Sequence, residues 1–582
     1  MELENIVANT VLMKAKESTR DGKGRSKRWR SMLQFSEPTD CEYLRDTLEL
    51  SYDQVVNQQP IGELLFEEFC DTDNLLSSCW KFIRRLEDYR TLPNEKLKDH
   101  AQQIFEEFLT PQPKLISPPE LEANETLCNS GAEAYPNVIN HSLLEILSPE
   151  VIEETRVSIS EAATSRSFNK IEIELRSYFI GEPFQLFKKS KYFLRFLQWK
   201  HLERQSVSED KFRIFRVLGK GGFGEVFAAQ SKISGKMYAI KKLEKKRVKK
   251  KKAEDLALTE RKILELVDSR FVVNLAYAYE TKDSLCLVLT LMGGGELKYH
   301  IYEIGHAGLP LERAVFYAAE IAAGLSHLHD KRILYRDMKP ENILLDERGH
   351  VRISDLGLAI RVPEGTKVKG RVGTAGYMAP EVLKNESYIF AIDWWGLGCV
   401  IYEMIAGRPP FREKKERVNK DTLDNRVLHK SQQYTPKFNV EASLICTRLL
   451  DKNPSTRLGG KREVFEDPFF NTIHWPQLES GKLEPPYAID PRAIYAKDVM
   501  DIDQFSSVRG INLNDNDVRF YEKFSIGAVP YAWQREVIET TVYHDLNQFP
   551  VDGSLVPVAY GRGRRNNGGG WKSLCCCCFG DS

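Results

Sequence analysis

The sequence has no excess charge of either sign: 83 lysines and arginines are matched by 83 aspartates and glutamates over 582 residues. A bulk attraction to nucleic acid is therefore excluded, and any electrostatic function must come from local clusters. Long apolar runs are missing too. No stretch reaches the roughly 18 apolar residues of a membrane span, and the opening MELENIVANT lacks the charged-then-apolar order of a secretory signal. Cysteine is scarce, 11 in all. Cys41, Cys70, Cys79, Cys128, Cys286, Cys399 and Cys446 are scattered without C-x-x-C spacing, which excludes a zinc module and a disulfide framework. These absences predict a cytoplasmic protein with reduced thiols. The other four cysteines do not fit that picture, for Cys575, Cys576, Cys577 and Cys578 stand side by side.

With 42% hydrophobic residues, a chain of this length predicts about three or four domain-sized units. The chemistry lies in the middle. Residues 212–226, FRIFRVLGKGGFGEV, carry Gly219, Gly221 and Gly224 in G-x-G-x-x-G spacing between alternating apolar residues. A dinucleotide fold would open a helix at the last glycine. Here EVFAAQ continues as strand, and MYAIKKL forms another that ends near Lys241, which favours a phosphate-covering hairpin. An ordered series follows: YRDMKPEN at 335–342, SDLG at 354–357 and MAPE at 378–381.

This central region resembles a eukaryotic protein kinase. Phosphoryl transfer asks the protein mostly for alignment and charge stabilisation. The resemblance implies that Gly219, Lys220, Gly221, Gly222, Phe223, Gly224 and Val226 cover ATP, with Ala239, Thr290, Met292 and Glu296 lining the adenosine and Lys241 neutralising phosphates. Glu260, on a helix expected over 254–267, takes the place of the carboxylate that holds Lys241, with Glu254 and Glu265 as alternatives. Asp337 would accept or orient the proton of a substrate hydroxyl, and Lys339 would steady the moving phosphoryl group. Asn342 and Asp355, hard oxygen donors, would hold Mg²⁺.

Three letters depart from the commonest kinase pattern: Tyr335 for histidine, Met338 for leucine, and Leu356 for the phenylalanine after Asp355. All three pack rather than react. The segment 484–510 resembles the tail that AGC-group kinases wrap over the nucleotide, with Ser506 and Ser507 where the resemblance implies autophosphorylation. In the loop between Asp355 and Glu381, the position that many such kinases phosphorylate is Gly370, which has no hydroxyl. Thr366 is an alternative site, and Thr374 is assigned to the substrate-hydroxyl pocket. Activation is therefore expected to come from a docking partner that closes the lobes rather than from a phosphorylated loop.

The flanks narrow the family. QQPIGELLFEEFC at 58–70 and YFLRFLQWKHLERQ at 192–205 have helical periodicity. With RFVVNLAYAYETKDSLCLVLTLM and GRVGTAGYMAPEV, they resemble the G-protein-coupled-receptor kinases, in the non-visual, non-prenylated subfamily that begins MELENIVAN. The implied architecture is a bilobal α+β kinase inserted in an all-α regulator-of-G-protein-signalling (RGS) homology domain. Its expected parts are an amphipathic receptor-docking helix (1–20), a basic lipid-binding linker (21–50), the RGS homology domain (51–205), the kinase (212–470) and an AGC-type tail (471–511). Helices over 512–550, with Phe520, Phe524, Trp533 and Val537, would return to the helical domain, and 551–582 would be a basic, cysteine-ended membrane anchor.

Leu3, Ile6, Val7 and Val11 share a helical face and are the implied receptor contact. Lys23, Arg25, Lys27, Arg28 and Arg30 surround Trp29. Near an anionic leaflet each cation is worth about 1 kcal/mol, and Trp29 suits the interface. The resemblance implies phosphatidylinositol bisphosphate or other anionic phospholipids here, with calcium–calmodulin as a competitor, while a solvated linker is the plain alternative. KKLEKKRVKKKK at 241–252 is expected to be mostly solvated or inhibitory-partner surface. Adjacent cysteines suit neither a metal cage nor a bridge. FGDS lacks a prenylation box and Glu2 excludes N-myristoylation, which leaves palmitoylation of Cys575, Cys576, Cys577 and Cys578.

The reading is a Mg-ATP-dependent serine/threonine kinase, cytoplasmic and peripheral at the inner face of the plasma membrane. It would phosphorylate agonist-activated G-protein-coupled receptors and so promote arrestin binding and desensitisation. Its rivals are a general AGC-type kinase for soluble substrates and a scaffold whose helical domain sequesters Gα.

Overall fold

In the computed structural model the described residues are 2–110, 142–304, 308–413, 416–490, 492, 493, 495, 508 and 510–549. Glu2–Arg20 forms the first helix, α1. The periodic stretches that follow become α2 (Pro60–Cys70), α3 (Asn74–Tyr89), α4 (Asn94–Leu109), α5 (Pro149–Ala162), α6 (Asn169–Ile180), α7 (Glu182–Lys189) and α8 (Lys191–Glu203). Local chemistry sets their starts: proline opens α2 and α5, and the Asp73 carboxylate accepts the Leu76 N–H at 3.0 Å to cap α3. Phe66, fully buried, centres the core, edge-on to Phe187 at 5.2 Å, Trp80 at 5.4 Å and Phe179 at 5.5 Å.

The central domain begins with strands β1 (Phe212–Lys220), β2 (Gly224–Ser231), β3 (Met237–Glu244), β4 (Leu275–Glu280) and β5 (Ser284–Thr290). Helices α9 (Lys245–Lys250) and α10 (Glu254–Leu266) lie between β3 and β4. Beyond β5 come the short strands β6 (Gly295–Glu296), β7 (Ile333–Leu334), β8 (Ile343–Leu345), β9 (Val351–Ile353) and β10 (Ile360–Arg361), and the long helices α11 (Leu311–Asp330) and α12 (Ala391–Ala406). Both long helices are almost wholly buried. Residues 291–294 link the small-lobe sheet to the β6–β8–β9 sheet of the large lobe.

The C-terminal segment contributes α13 (Asp515–Glu522), β11 (Gly527–Ala528), α14 (Pro530–Glu539) and α15 (Val542–Leu546). β11 adds a sixth strand beside β4, giving the order β1-β2-β3-β5-β4-β11. Trp533 and Val537 then bury in the helical-domain core, where Trp199 meets Trp533 at 5.9 Å and Tyr543 at 5.5 Å. Phe520 and Phe524 do not join them. They pack on the core of the central domain, because Lys249 pairs with Asp517, the Lys523 carbonyl accepts from Arg261 at 3.0 Å, and Tyr521 donates to the Lys245 carbonyl at 3.3 Å.

Helix α14 joins the two domains. The buried Glu536 carboxylate accepts from Tyr238 and Tyr277 at 2.5 Å and from Ser234, all in the small-lobe sheet and its turn. Gln534 accepts the Ile61 N–H at 3.1 Å and donates to Glu203 at 2.8 Å and Gln59 at 3.1 Å on the helical side. Every one of these buried polar groups is satisfied across a domain boundary.

One expectation about the basic segments is overturned. Trp29 is buried in the helical core rather than offered to a membrane, with Arg25 and Arg30 stacked on its ring at 5.0 and 4.8 Å. Arg25 is drawn into the fold by Asp545, the Thr540 carbonyl and the Thr541 hydroxyl. In the run 241–252, Lys242 pairs with Glu209, Lys245 with Glu280, Arg247 with Glu244 and Lys249 with Asp517, while Lys250, Lys251 and Lys252 are exposed. No helix among the described residues is long and apolar enough to cross a membrane.

Candidate functional site

The glycine hairpin joins β1 to β2. Its turn is closed by the Gly221 N–H donating to the Gly224 carbonyl at 2.8 Å. Gly224 has to be glycine, since a Cβ there would stand 1.6 Å from the Lys242 carbonyl oxygen. Lys220 pairs across the hairpin with Glu225, Val226 faces Lys241 across β2–β3, and Ala239 faces Leu289 across β3–β5. Of the three acids considered on α10, Glu260 reaches Lys241, at 2.7 Å, while Glu265 pairs with Arg261. Asp355 also meets Lys241, at 3.1 Å. Burial alone would lower the Lys241 pKa, but Glu260 and Asp355 hold its ammonium above the ordinary lysine range, and Lys241 in turn holds the Asp355 carboxyl below its usual range. Thr290 ends β5 with its N–H on the Asn274 carbonyl at 3.0 Å, Met292 is buried in the link, and Glu296 is exposed on β6.

Asp337 is the centre of a second cluster. Its Oδ1 accepts from the Thr374 hydroxyl at 2.5 Å, and its Oδ2 from Lys339 at 2.7 Å and Asn342 at 2.8 Å. Lys339 also reaches the Thr374 Oγ1 at 2.9 Å. Both carboxylate oxygens are thereby aimed, and a shallow depression lined by Asp337, Thr374, Tyr377 and Met378 lies alongside. The residues present fit a magnesium nucleotide by donor chemistry: Asp355 and Asn342 offer carboxylate and amide oxygens, Lys241 a cation, and the hairpin backbone amides.

Sequence reasoning missed the carboxylate that holds this loop in place. Asp393 accepts the N–H of Tyr335 at 2.9 Å and of Arg336 at 2.8 Å, and His329 at 2.8 Å. Asp393 lies in the first turn of α12, outside the motifs read from the sequence. Arg336, at φ +72°, donates to the Leu358 carbonyl at 2.7 Å, and the Gly370 carbonyl accepts from Tyr388 at 2.8 Å. Side chains also tie the loop 355–381, Arg371 to Asp424 and Tyr377 to Glu403 at 2.6 Å.

Helix α1 crosses between the lobes. Leu12 and Ala15 are buried against the small lobe, where Gln230 donates to the Thr19 hydroxyl at 2.9 Å and Arg216 to Asn9. Lys16 and Arg20 pair with Glu347, in the β8–β9 turn of the large lobe, at 2.9 and 2.7 Å. Ile6, Val7 and Val11 stay 57%, 58% and 46% exposed on the other side. The side chain of Leu3 lies outside the described residues, as do Ser506, Ser507, Cys575, Cys576, Cys577 and Cys578. Lys23, Lys27, Arg28 and Arg30 are exposed, with Lys23 beside Asp21 at 3.1 Å.

His300 anchors the tail to the interlobe link. Its Nε2 donates to the Gly294 carbonyl at 2.7 Å and its Nδ1 accepts from Arg313 at 3.0 Å, which requires the neutral ring. Tyr495 stacks on the ring at 5.4 Å, and Arg313 lies 3.6 Å over Tyr487. Burial first, and then the Arg313 charge, lower the His300 pKa from 6.5 to about 4. The unfolded chain takes up this proton near pH 6.5 and the folded one only near 4, so stability is lost as pH falls through that window. His300→Gln keeps a donor and an acceptor without titrating. Its melting temperature is expected to fall less steeply than the parent's between pH 6.5 and 4, and equal slopes would reject the assignment.

Comparison with known proteins agrees with this geometry. The protein kinase domain family matches residues 212–470 and the regulator of G protein signaling domain family matches residues 51–196. The chain is 48% identical over 576 residues to G protein-coupled receptor kinase 1 of Caenorhabditis elegans, covering 94% of this chain and 87% of that one. It is 46% identical over 558 residues to G protein-coupled receptor kinase 4 of Rattus norvegicus, covering 95% and 92%. With G protein-coupled receptor kinase 2 of Drosophila melanogaster it shares 42% identity over 658 positions, covering 94% and 92%.

Proposed function

The chain belongs to the G protein-coupled receptor kinase family, and from that membership we propose that this serine/threonine kinase phosphorylates cytoplasmic regions of agonist-activated receptors, promoting arrestin binding and desensitisation. Within the site, Asp337 accepts or orients the proton of the target hydroxyl, and Thr374 and Lys339 hold that carboxylate in place. Lys241, fixed by Glu260, neutralises phosphate charge that the glycine hairpin covers, and Asn342 and Asp355 are the residues that would hold Mg²⁺. The metal supplies charge neutralisation on the transferring phosphates.

The observation that carries the receptor reading is α1. One of its faces is bonded to both lobes, through Gln230 and Arg216 above and Glu347 below, while Ile6, Val7 and Val11 are offered outward. A receptor that covers those side chains stabilises the helix and, through it, the closed arrangement of the lobes. Lys23, Lys27, Arg28 and Arg30 are proposed to meet anionic phospholipid, including phosphatidylinositol bisphosphate, and calcium–calmodulin would compete for them. Arg25 takes part only if it leaves Asp545. Acylation of Cys575, Cys576, Cys577 and Cys578 would add the hydrocarbon attachment, since one chain plus a basic patch holds a protein at a bilayer.

The test is phosphate incorporation into purified receptor, with and without agonist, in vesicles with and without anionic lipid. Agonist and anionic lipid should each raise the rate, and hydroxylamine, which cleaves thioesters, should release the cell-derived enzyme from the membrane fraction. Leu3→Asp is expected to cost about tenfold or more on agonist-bound receptor and much less on a peptide in solution. Equal losses on both substrates, or equal rates on resting and activated receptor, would sink the docking role.

A further inference from the structure

The basic run after β3 holds one contact that the preceding roles leave unexplained. Lys251 sends its Nζ back 29 residues to the Gly222 carbonyl, at 2.7 Å, and the same ammonium stands 4.9 Å over the Phe223 ring. We propose that Lys251 is a positioning residue for phosphoryl transfer, which orients the tip of the glycine hairpin toward the phosphates of ATP. The proposal rests on the reading that residues 219–224 cover the nucleotide.

Peptide geometry gives the reason. In a planar trans peptide the C=O of one residue and the N–H of the next point in opposite directions. Holding the Gly222 carbonyl outward therefore turns the Phe223 N–H away from Lys251. The neighbouring peptide is treated alike, for the Phe223 carbonyl accepts the Glu244 N–H at 3.1 Å, which fixes the Gly224 N–H in turn. Two consecutive carbonyls are thus tied to the β3–α9 segment, and two consecutive amide donors are pre-set at a glycine-rich turn whose flexibility would otherwise have to be frozen on binding.

The tether is itself rigidly based. Helix α9 is pinned by the fully buried Val248, by Lys245 on Glu280 at 2.8 Å and the Thr281 carbonyl at 2.7 Å, and by Lys249 on Asp517 and the Asn512 carbonyl at 3.1 Å. It closes with Lys251 N–H on the Arg247 carbonyl at 3.1 Å and with Lys252 at φ +53°, so the base of the Lys251 side chain has little freedom. The Lys251 ammonium also adds positive charge at the hairpin tip, where it stands over the Phe223 ring.

Lys251→Met keeps the stem and removes the ammonium, and Lys251→Arg keeps a donor. With a soluble peptide as phosphate acceptor, Lys251→Met should raise the KM for ATP and the Kd for a fluorescent ATP analogue with Mg²⁺ by about threefold to tenfold. Its kcat should stay within about twofold and its Tm unchanged. Amide hydrogen exchange over 221–224 should quicken, and Lys251→Arg should restore much of the difference. Nucleotide affinity and exchange at the parent's level would overturn the proposal, as would a joint fall of kcat and Tm. Lys241→Met separates the two readings. If it still turns over like the parent, the assignment of the hairpin to ATP fails and this proposal with it; if it is inactive while Lys251→Met matches the parent, only the role of Lys251 fails.

Discussion

Asp337→Asn should leave a folded, nucleotide-binding enzyme whose kcat is lower by about a thousandfold or more, the range lost with a positioned base and its alignment. Both oxygens of Asp337 are acceptors in use, Oδ1 for the Thr374 hydroxyl and Oδ2 for Lys339 and Asn342. An amide offers one acceptor and one NH₂. Placed on the Oδ2 side, the NH₂ meets two donors. Placed on the Oδ1 side, it needs Thr374 to reverse its hydroxyl and takes away the only site where a target proton could go. Single-turnover transfer to a peptide, beside nucleotide affinity and Tm, measures this. A loss under about tenfold with intact binding would remove Asp337 from the chemistry.

Arg457→Ala has the largest effect expected on stability. Arg457 is fully buried and forms a bidentate pair with Glu381, itself buried, at 2.6 and 2.9 Å. It also donates to the carbonyls of Ala391 at 3.0 Å and Asp451 at 2.9 Å, and lies 5.1 Å over Trp395. Removing it strands a desolvated carboxylate and two carbonyls in the large lobe, a cost of about 3–5 kcal/mol. Glu381 follows the loop that carries Thr374, so activity should fall with the unfolding midpoint. Replacing both partners, Arg457→Met with Glu381→Leu, removes the stranded charge and should recover part of the loss. Urea unfolding of the parent and the two variants decides it: a double variant less stable than Arg457→Ala would contradict the argument.

Much of the fold and the site was legible because kinase chemistry is written in short local motifs. Asp337, Lys339 and Asn342 lie within six positions of one another, and the glycine hairpin within another short span. The position of Glu260 on α10 needed the helix's orientation to separate it from Glu265, which turns to Arg261. What escaped was partnership at long range. Periodicity tells which side chains are buried but not against what, so Phe520 and Phe524 were assigned to the wrong neighbour. Trp29 and its arginines read equally well as a membrane-facing cluster until Asp545, 520 residues from Arg25, takes one of them inward. The pairings of the run at 241–252 are equally long-range, since its carboxylate partners include Glu209, Glu280 and Asp517, all outside the run.

The bonds of α14 also bear on how the protein is made. Glu203 leaves the ribosome 331 residues before Gln534, its eventual partner, and Trp199 must wait as long for Trp533 and Tyr543. Throughout translation of the catalytic lobes the helical domain carries an unfinished apolar face, so vectorial folding cannot complete it first and a holding chaperone has a surface to grip. Nascent chains stalled before residue 530 should therefore stay protease-sensitive in a region whose own code has long been read.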